Sequence, residues 1–129
     1  MGAYLLVFLS FLGAGAALAV DVVRVVDAKT IMVRSATGEP LSVTVQGILV
    51  PDSEDADCEA EEAKAEQARV YVEKVMTGTV HLSNIHPIAG SDAVTADVQL
   101  DSMVPLAGLL TAQGYARYAR DGNDDWCDG

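Results

Sequence analysis

The sequence predicts a small domain that is mainly β with helices, and three observations predict it. β-Branched and other apolar residues fall in short alternating or paired runs between Asp21 and Gln46, between Thr79 and His86, and between Val94 and Leu100, the pattern of half-buried strands. Between the first group and the last two, apolar residues recur at three- and four-residue steps, as on an amphipathic helix. A chain of 129 residues, half of them apolar, has room for one domain with a single modest core.

The first segment stands apart. Met1 to Val20 is almost wholly apolar, and Ala17-Leu18-Ala19 supplies a small-x-small cleavage pattern. The expectation is a signal peptide over 1–19 and a mature domain over 20–129, exported to a periplasm or secreted. The segment carries no Lys or Arg, and the run from Ala3 to Val20 is close to the minimum bilayer span, so an uncleaved anchor is the alternative. Gly13, Gly15 and the alanines suit an export signal better than a packed span. After cleavage no stable membrane association is expected.

Because that segment holds no charged residue, the mature domain keeps the whole net charge of −11. A polyanion ligand is gripped by releasing counterions through Lys and Arg, and an acidic body first has to overcome repulsion, which disfavours nucleic acid as a partner. Cys58 and Cys127 are the only cysteines. In an exported chain an even count suggests one disulfide, and their spacing gives no metal motif.

From Asp21 the chain reads DVVRVVDAKTIMVRS, a strand, a tight turn at Asp27-Ala28-Lys29 and a second strand. Thr37-Gly38-Glu39-Pro40 turns into a third strand, where Leu41, Val43 and Val45 alternate with Ser42, Thr44 and Gln46. From Asp52 to Glu62 there are seven carboxylates in eleven residues and no cation. Asp55, Asp57 and Glu59 faintly imitate a Ca²⁺ loop, but Ala60 stands where its glycine belongs. The competing reading is a solvated loop whose last acids suit a helix N-terminus. Ala65, Ala68, Val72, Val75 and Met76 then mark a helix over Ala60–Thr77 ended by Gly78, with Arg69 and Glu73 paired on its surface. Thr79 to His86 is the next strand, closed by Pro87. His81 and His86 invite an acid–base reading, yet their spacing puts them on opposite faces of an extended chain. Val94 to Leu100 is the last strand. A final helix lies between Val104 and Gly114, with Pro105 near its start and Leu106, Leu109 and Leu110 as its buried stripe. Asp121, Asn123 and Asp125 again echo a calcium loop, but no bidentate glutamate follows.

Several of these segments resemble the staphylococcal-nuclease-like family in family order. Val25-Val26-Asp27-Ala28-Lys29-Thr30-Ile31 is similar to its V-x-D-G-D-T-I hairpin. The stretch from Thr44 to Asp52, with Gly47, Ile48 and Pro51, resembles its signature loop Arg-Leu-x-Gly-Ile-Asp-x-Pro-Glu. Ala96-Asp97-Val98, Tyr115-Ala116-Arg117-Tyr118 and Trp126-Cys127 resemble its last strand, the segment after its last helix and the end of some exported members. The resemblance implies a five-stranded OB-type Greek-key barrel with two to three packed helices. It also implies a Cys58–Cys127 disulfide, since exported relatives carry cysteines at both places.

The chemical positions depart from the family. Thr44 stands at an arginine position, Lys29 and Leu49 at aspartates, and Asp52 at the glutamate; the hairpin before Ala96 has no arginine. Phosphodiester hydrolysis of the family type needs a metal, a carboxylate for water and two arginines. Only Asp52 is left as a catalytic residue, and Asp27 with Asp52 as remaining metal ligands. The expectation is therefore an inert binding or assembly module, without cofactor, for an unknown protein or small ligand. The alternatives are a divergent Ca²⁺-dependent phosphodiesterase and a Ca²⁺-responsive acidic protein.

Overall fold

A computed structural model of the chain describes residues 17–127. The signal segment expected over 1–19 lies outside the described residues except for its last three. The first strand, β1, spans Leu18–Asp27, so Leu18 and Ala19 pair with Leu82 and His81 rather than ending in a loop. Both are exposed, and Val20 is the first buried residue. Cleavage after Ala19 would remove two rungs of a ladder and nothing from the core.

Five strands close into a barrel: β1, β2 (Thr30–Arg34), β3 (Pro40–Val45), β5 (Thr79–Pro87) and β6 (Val94–Leu100). Their order is β1-β2-β3-β6-β5, with β5 returning to β1. All neighbours are antiparallel except β3 and β6, where Val43, Thr44 and Val45 face Val94, Thr95 and Ala96 in parallel. This is the five-stranded Greek-key barrel of OB type, as expected. Closure removes the exposed edges that an open sheet of this size would present.

The inward set follows the alternation. Ile31, Val33, Val43, Leu82 and Ala96 are fully buried, and Val45, Val80 and Val98 nearly so. β1 departs from strict alternation because it carries two irregularities, between Val22 and Arg24 and between Val25 and Asp27. Val23 and Val26 are the unpaired extra residues and face solvent, which is why a run so rich in valine buries only Val20 and Val25. Bulges of this kind increase the local twist that a small barrel requires. A third irregularity, in β5 between Ser83 and His86, is held by side chains. Asn84, at φ 50°, donates to Asp97 Oδ2 at 2.6 Å, while Gln46 Nε2 donates to Asp97 Oδ1 and to the Asn84 carbonyl.

Helix α1 spans Glu59–Val75 and packs against β1 through Ala65, Ala68, Val72 and Met76. It ends earlier than its periodicity predicts. Met76 is the C-cap, and Gly78, at φ +78°, serves the turn into β5, its carbonyl accepting from Val22 N–H. Helix α2, Leu106–Ala112, buries Leu106 and Leu110 against β6. Gly114 takes φ +79° just past its C-cap, where a side chain would be strained. After it, β7 (Arg117–Tyr118) pairs with the short β4 (Ile48–Leu49), and a single 3₁₀ turn, Ala119–Asp121, leads into the tail. A disulfide joins Cys58 to Cys127 with Cα atoms 6.0 Å apart across 69 residues. In the chain-entropy description a loop of that length stabilises the fold by roughly 4 kcal/mol.

Candidate functional site

A cleft of about 290 Å³ opens between the β1–β2 hairpin, the loop from Val50 to Glu54 and the first half of α1. The hairpin contributes Asp27, Ala28 and Lys29. Its tight turn exists because the Asp27 carboxylate accepts from the Lys29 N–H at 2.9 Å, and Lys29 in turn accepts from Val45 N–H. That fixes the hairpin tip against the end of β3. Lys29 projects from a turn locked on both sides.

The loop is organised by a residue that sequence reasoning passed over. Glu61 is 5 % exposed, the one buried charged side chain among the described residues. Its two carboxylate oxygens accept from the backbone N–H of Asp52 at 2.8 Å and of Asp57 at 2.9 Å. The same residue sits at the third position of α1, whose N-cap Cys58 accepts from the Glu61 N–H at 3.4 Å. This is a variant of the capping box in which the acid reaches back past the N-cap to the preceding loop. The acidic run is thus divided in role. One carboxylate is structural and buried, whereas Glu59 and Glu62 lie exposed in the first turn, where the peptide dipole favours them.

Asp52 and Asp27 both line the cleft. Each is engaged locally. Asp52 Oδ1 accepts from Glu54 N–H at 2.9 Å and Asp55 N–H at 3.0 Å. Those bonds, the Asp55 one first, hold its carboxyl below the ordinary value of 3.8, and Lys29 adds a smaller push in the same direction. A carboxylate so stabilised is a weaker base than a free one. Thr44 and Leu49 are not among the cleft's lining residues. Thr44 pairs with Thr30 on the barrel wall, and Leu49 faces Arg117 across the β4–β7 pair.

Arg69 is the cation the sequence placed on a merely solvated face. It lies two turns beyond Glu61 on the stripe Glu61, Ala65, Arg69, and it closes the cleft from the helix side. Its guanidinium binds Glu66 through Nε at 3.1 Å and Nη2 at 2.6 Å, and Glu73 through Nη1 at 2.6 Å. Glu66 is held below its ordinary value by the Arg69 hydrogen bonds, and Arg69 is raised above its own by Glu66 first and Glu73 after it. The periodicity Glu61, Ala65, Arg69 was the available signal. The cleft wall therefore carries Asp27, Asp52, Glu54 and Glu66 against Lys29 and Arg69, two more negative than positive charges.

The other singled-out residues do not converge. His81 Nε2 meets Asp101 Oδ1 at 3.2 Å, and His86 stands exposed opposite Thr95. Asn123 accepts from Arg117 and from Asp125 N–H, and Asp125 accepts from Cys127 N–H, so these residues fold the tail on itself. Among the described residues no three His, Cys, Asp or Glu side chains form a group that could hold a metal ion.

Fold and site together define a disulfide-tied OB-type barrel with a polar, mixed-charge cleft beside its first hairpin. No protein-family model matches the chain, and no curated protein matches it.

Proposed function

We propose that this chain is an exported, nuclease-like barrel that works as a binding or assembly module without phosphodiester chemistry. The observation that carries this reading is the state of Asp52. Its carboxylate is tied to the N–H groups of its own loop and stands near Lys29, in a cleft with excess negative charge. A phosphate entering there would meet repulsion, and a divalent cation would meet Lys29. Export is supported by the disulfide, which persists in oxidising compartments. No helix among the described residues is long and apolar enough to cross a membrane.

The second reading, a divergent Ca²⁺-dependent phosphodiesterase, draws on one feature: Asp27, Asp52, Lys29 and Arg69 share a single cleft. Cleavage of single-stranded DNA and RNA by the purified protein with Ca²⁺ present separates the two. The expected result is no cleavage and no heat of binding for Ca²⁺ or a nucleoside bisphosphate. Chelator-sensitive cleavage lost in Asp52→Ala would establish the enzyme instead. Ca²⁺ binding that raises the melting temperature without turnover would favour a Ca²⁺-responsive acidic protein.

A further inference from the structure

We propose that the Cys58–Cys127 disulfide is a releasable strap: reduction by a dithiol frees the C-terminal tail and loosens the cleft loop while the barrel stays folded. The inference holds whatever the cleft binds.

Neither cysteine is sealed in the core. Both are partly exposed, between exposed neighbours at 52–55 and 59–60 on one side and 121–125 on the other. The bond joins two peripheral segments, the N-cap of α1 and the tail, and neither end lies on a barrel strand.

What else holds the tail is slight. Trp126 is buried, its ring lies 4.0 Å from the Arg117 guanidinium carbon, and Arg117 donates to Asn123 Oδ1 and to the Asp125 carbonyl. The residues between, 121–125, are exposed and polar. Ordering that many backbone residues costs about as much conformational entropy as the buried Trp126 ring, its cation–π contact and a few exposed hydrogen bonds return, so these alone leave little surplus. The covalent tie supplies that surplus, so opening it releases the tail.

The exchange balances. A dithiol's thiolate attacks Cys127 Sγ and forms a mixed disulfide, expelling Cys58 as a thiolate. Cys58 Sγ already accepts the Glu61 N–H at the start of a 17-residue helix, a position that stabilises a leaving thiolate. The dithiol's second thiol then displaces Cys127. The reductant loses two electrons and two protons, and both cysteines end as thiols.

Release reaches the cleft from two directions. The loop 50–58 loses its covalent tie at Cys58, keeping at that end the Glu61 clamp and the bond from Glu62 N–H to the Cys58 carbonyl. Arg117, opposite Leu49 where the same loop begins, loses Trp126, Asn123 and Asp125 as partners.

The test treats the oxidised protein with dithiothreitol in the absence of denaturant. Thiol count, far-ultraviolet circular dichroism, Trp126 fluorescence and amide hydrogen exchange are followed together. Trp126 is the chain's only tryptophan, which makes its emission a clean reporter of the tail. The expected result is two thiols appearing faster than global unfolding and a red shift of Trp126 emission. Circular dichroism is expected to stay unchanged, with exchange at least about tenfold faster over 117–127 and 52–58 but not in the barrel strands. Reoxidation should restore all of it. The double variant Cys58→Ser/Cys127→Ser should reproduce the reduced state. Thiols appearing only at the rate of global unfolding, or a Trp126 emission unchanged after full reduction, would overturn the proposal.

Discussion

Replacing Glu61 with alanine should unfasten the cleft loop at a cost that can be worked from the structure. The carboxylate accepts two backbone N–H groups, at 2.8 and 2.9 Å, from Asp52 and Asp57. Hydrogen bonds to a charged acceptor contribute about 1.5–3 kcal/mol each. Asp52 and Asp57 lie at the surface, so their freed N–H groups regain water and the loss sits at the low end, about 3 kcal/mol for the pair. Removing a negative charge from the first turn of α1 adds about 0.3–1 kcal/mol, and the better helix propensity of alanine returns a few tenths. The net of about 3 kcal/mol lowers the melting temperature by roughly 10–15 °C for a domain of this size. Glu61→Gln keeps one acceptor and turns an N–H₂ toward the other amide, so it should lose about half as much or more. Urea unfolding followed by Trp126 fluorescence gives the free energy, and hydrogen exchange at Asp52 and Asp57 gives the local effect. A loss below about 0.5 kcal/mol with an unchanged denaturant slope would refute the role assigned to Glu61.

Asp52 should titrate below 3.8 in the folded protein. Because its folded value is depressed, the stabilisation is present above the unfolded value and is lost as pH falls through the folded one. Carboxyl-carbon NMR checks this directly, and a titration at or above 3.8 would show that the Glu54 and Asp55 bonds do not form in solution. Leu82→Ala, at a fully buried barrel position, should cost about 2–5 kcal/mol in chemical denaturation, since the surrounding strands cannot collapse on the cavity. Lys29→Asp removes the cation beside Asp27 and Asp52 and adds a carboxylate. Calorimetry should then detect Ca²⁺ at millimolar affinity or better where the parent shows no heat, and silence from this variant would mean that Lys29 is not what keeps Ca²⁺ out.

Much of the fold was legible because its signal is local. Leu41, Val43 and Val45 alternate in the sequence and alternate in the barrel, and the steps through Ala65, Ala68, Val72 and Met76 are those of α1. The Greek-key closure was implied by the family resemblance and not by any periodicity, the disulfide was suggested by two cysteines in a chain expected to be exported, and the parallel β3–β6 contact is visible only in the structure. The bulges were not legible. In DVVRVV nothing in the side chains tells Val23 from Val22, because the register is imposed by the partner strand. Glu61 was hidden for a related reason: within seven carboxylates its composition is that of its neighbours. Only the position three residues after the N-cap distinguishes it, and that position cannot be counted until the helix start is known. The apolar periodicity places the helix start at Ala60, one residue after the observed Glu59, which moves the third position onto Glu62.

The same division underlies the proposal that the cleft binds rather than cuts. A catalytic carboxylate has to remain available to a substrate or its water, and phosphoryl chemistry needs positive charge aimed at the reacting oxygens. In this barrel the local structure occupies those groups first. Asp27 makes the hairpin turn, Asp52 makes the loop turn, and Arg69 is shared between Glu66 and Glu73. The loop itself is pinned by Glu61, by the β4–β7 pair and by Cys58. Introducing one residue of the staphylococcal-nuclease-like pattern at a time leaves those ties in place. A substitution such as Leu49→Asp alone should therefore not produce turnover, because Asp52 would still be held by its own loop and the cleft would become more negative. Groups committed to holding a surface in shape make it a specific one. On the proposed binding reading, a ligand would meet preorganised, already paired charges, and its affinity would depend on matching them rather than on reacting with them.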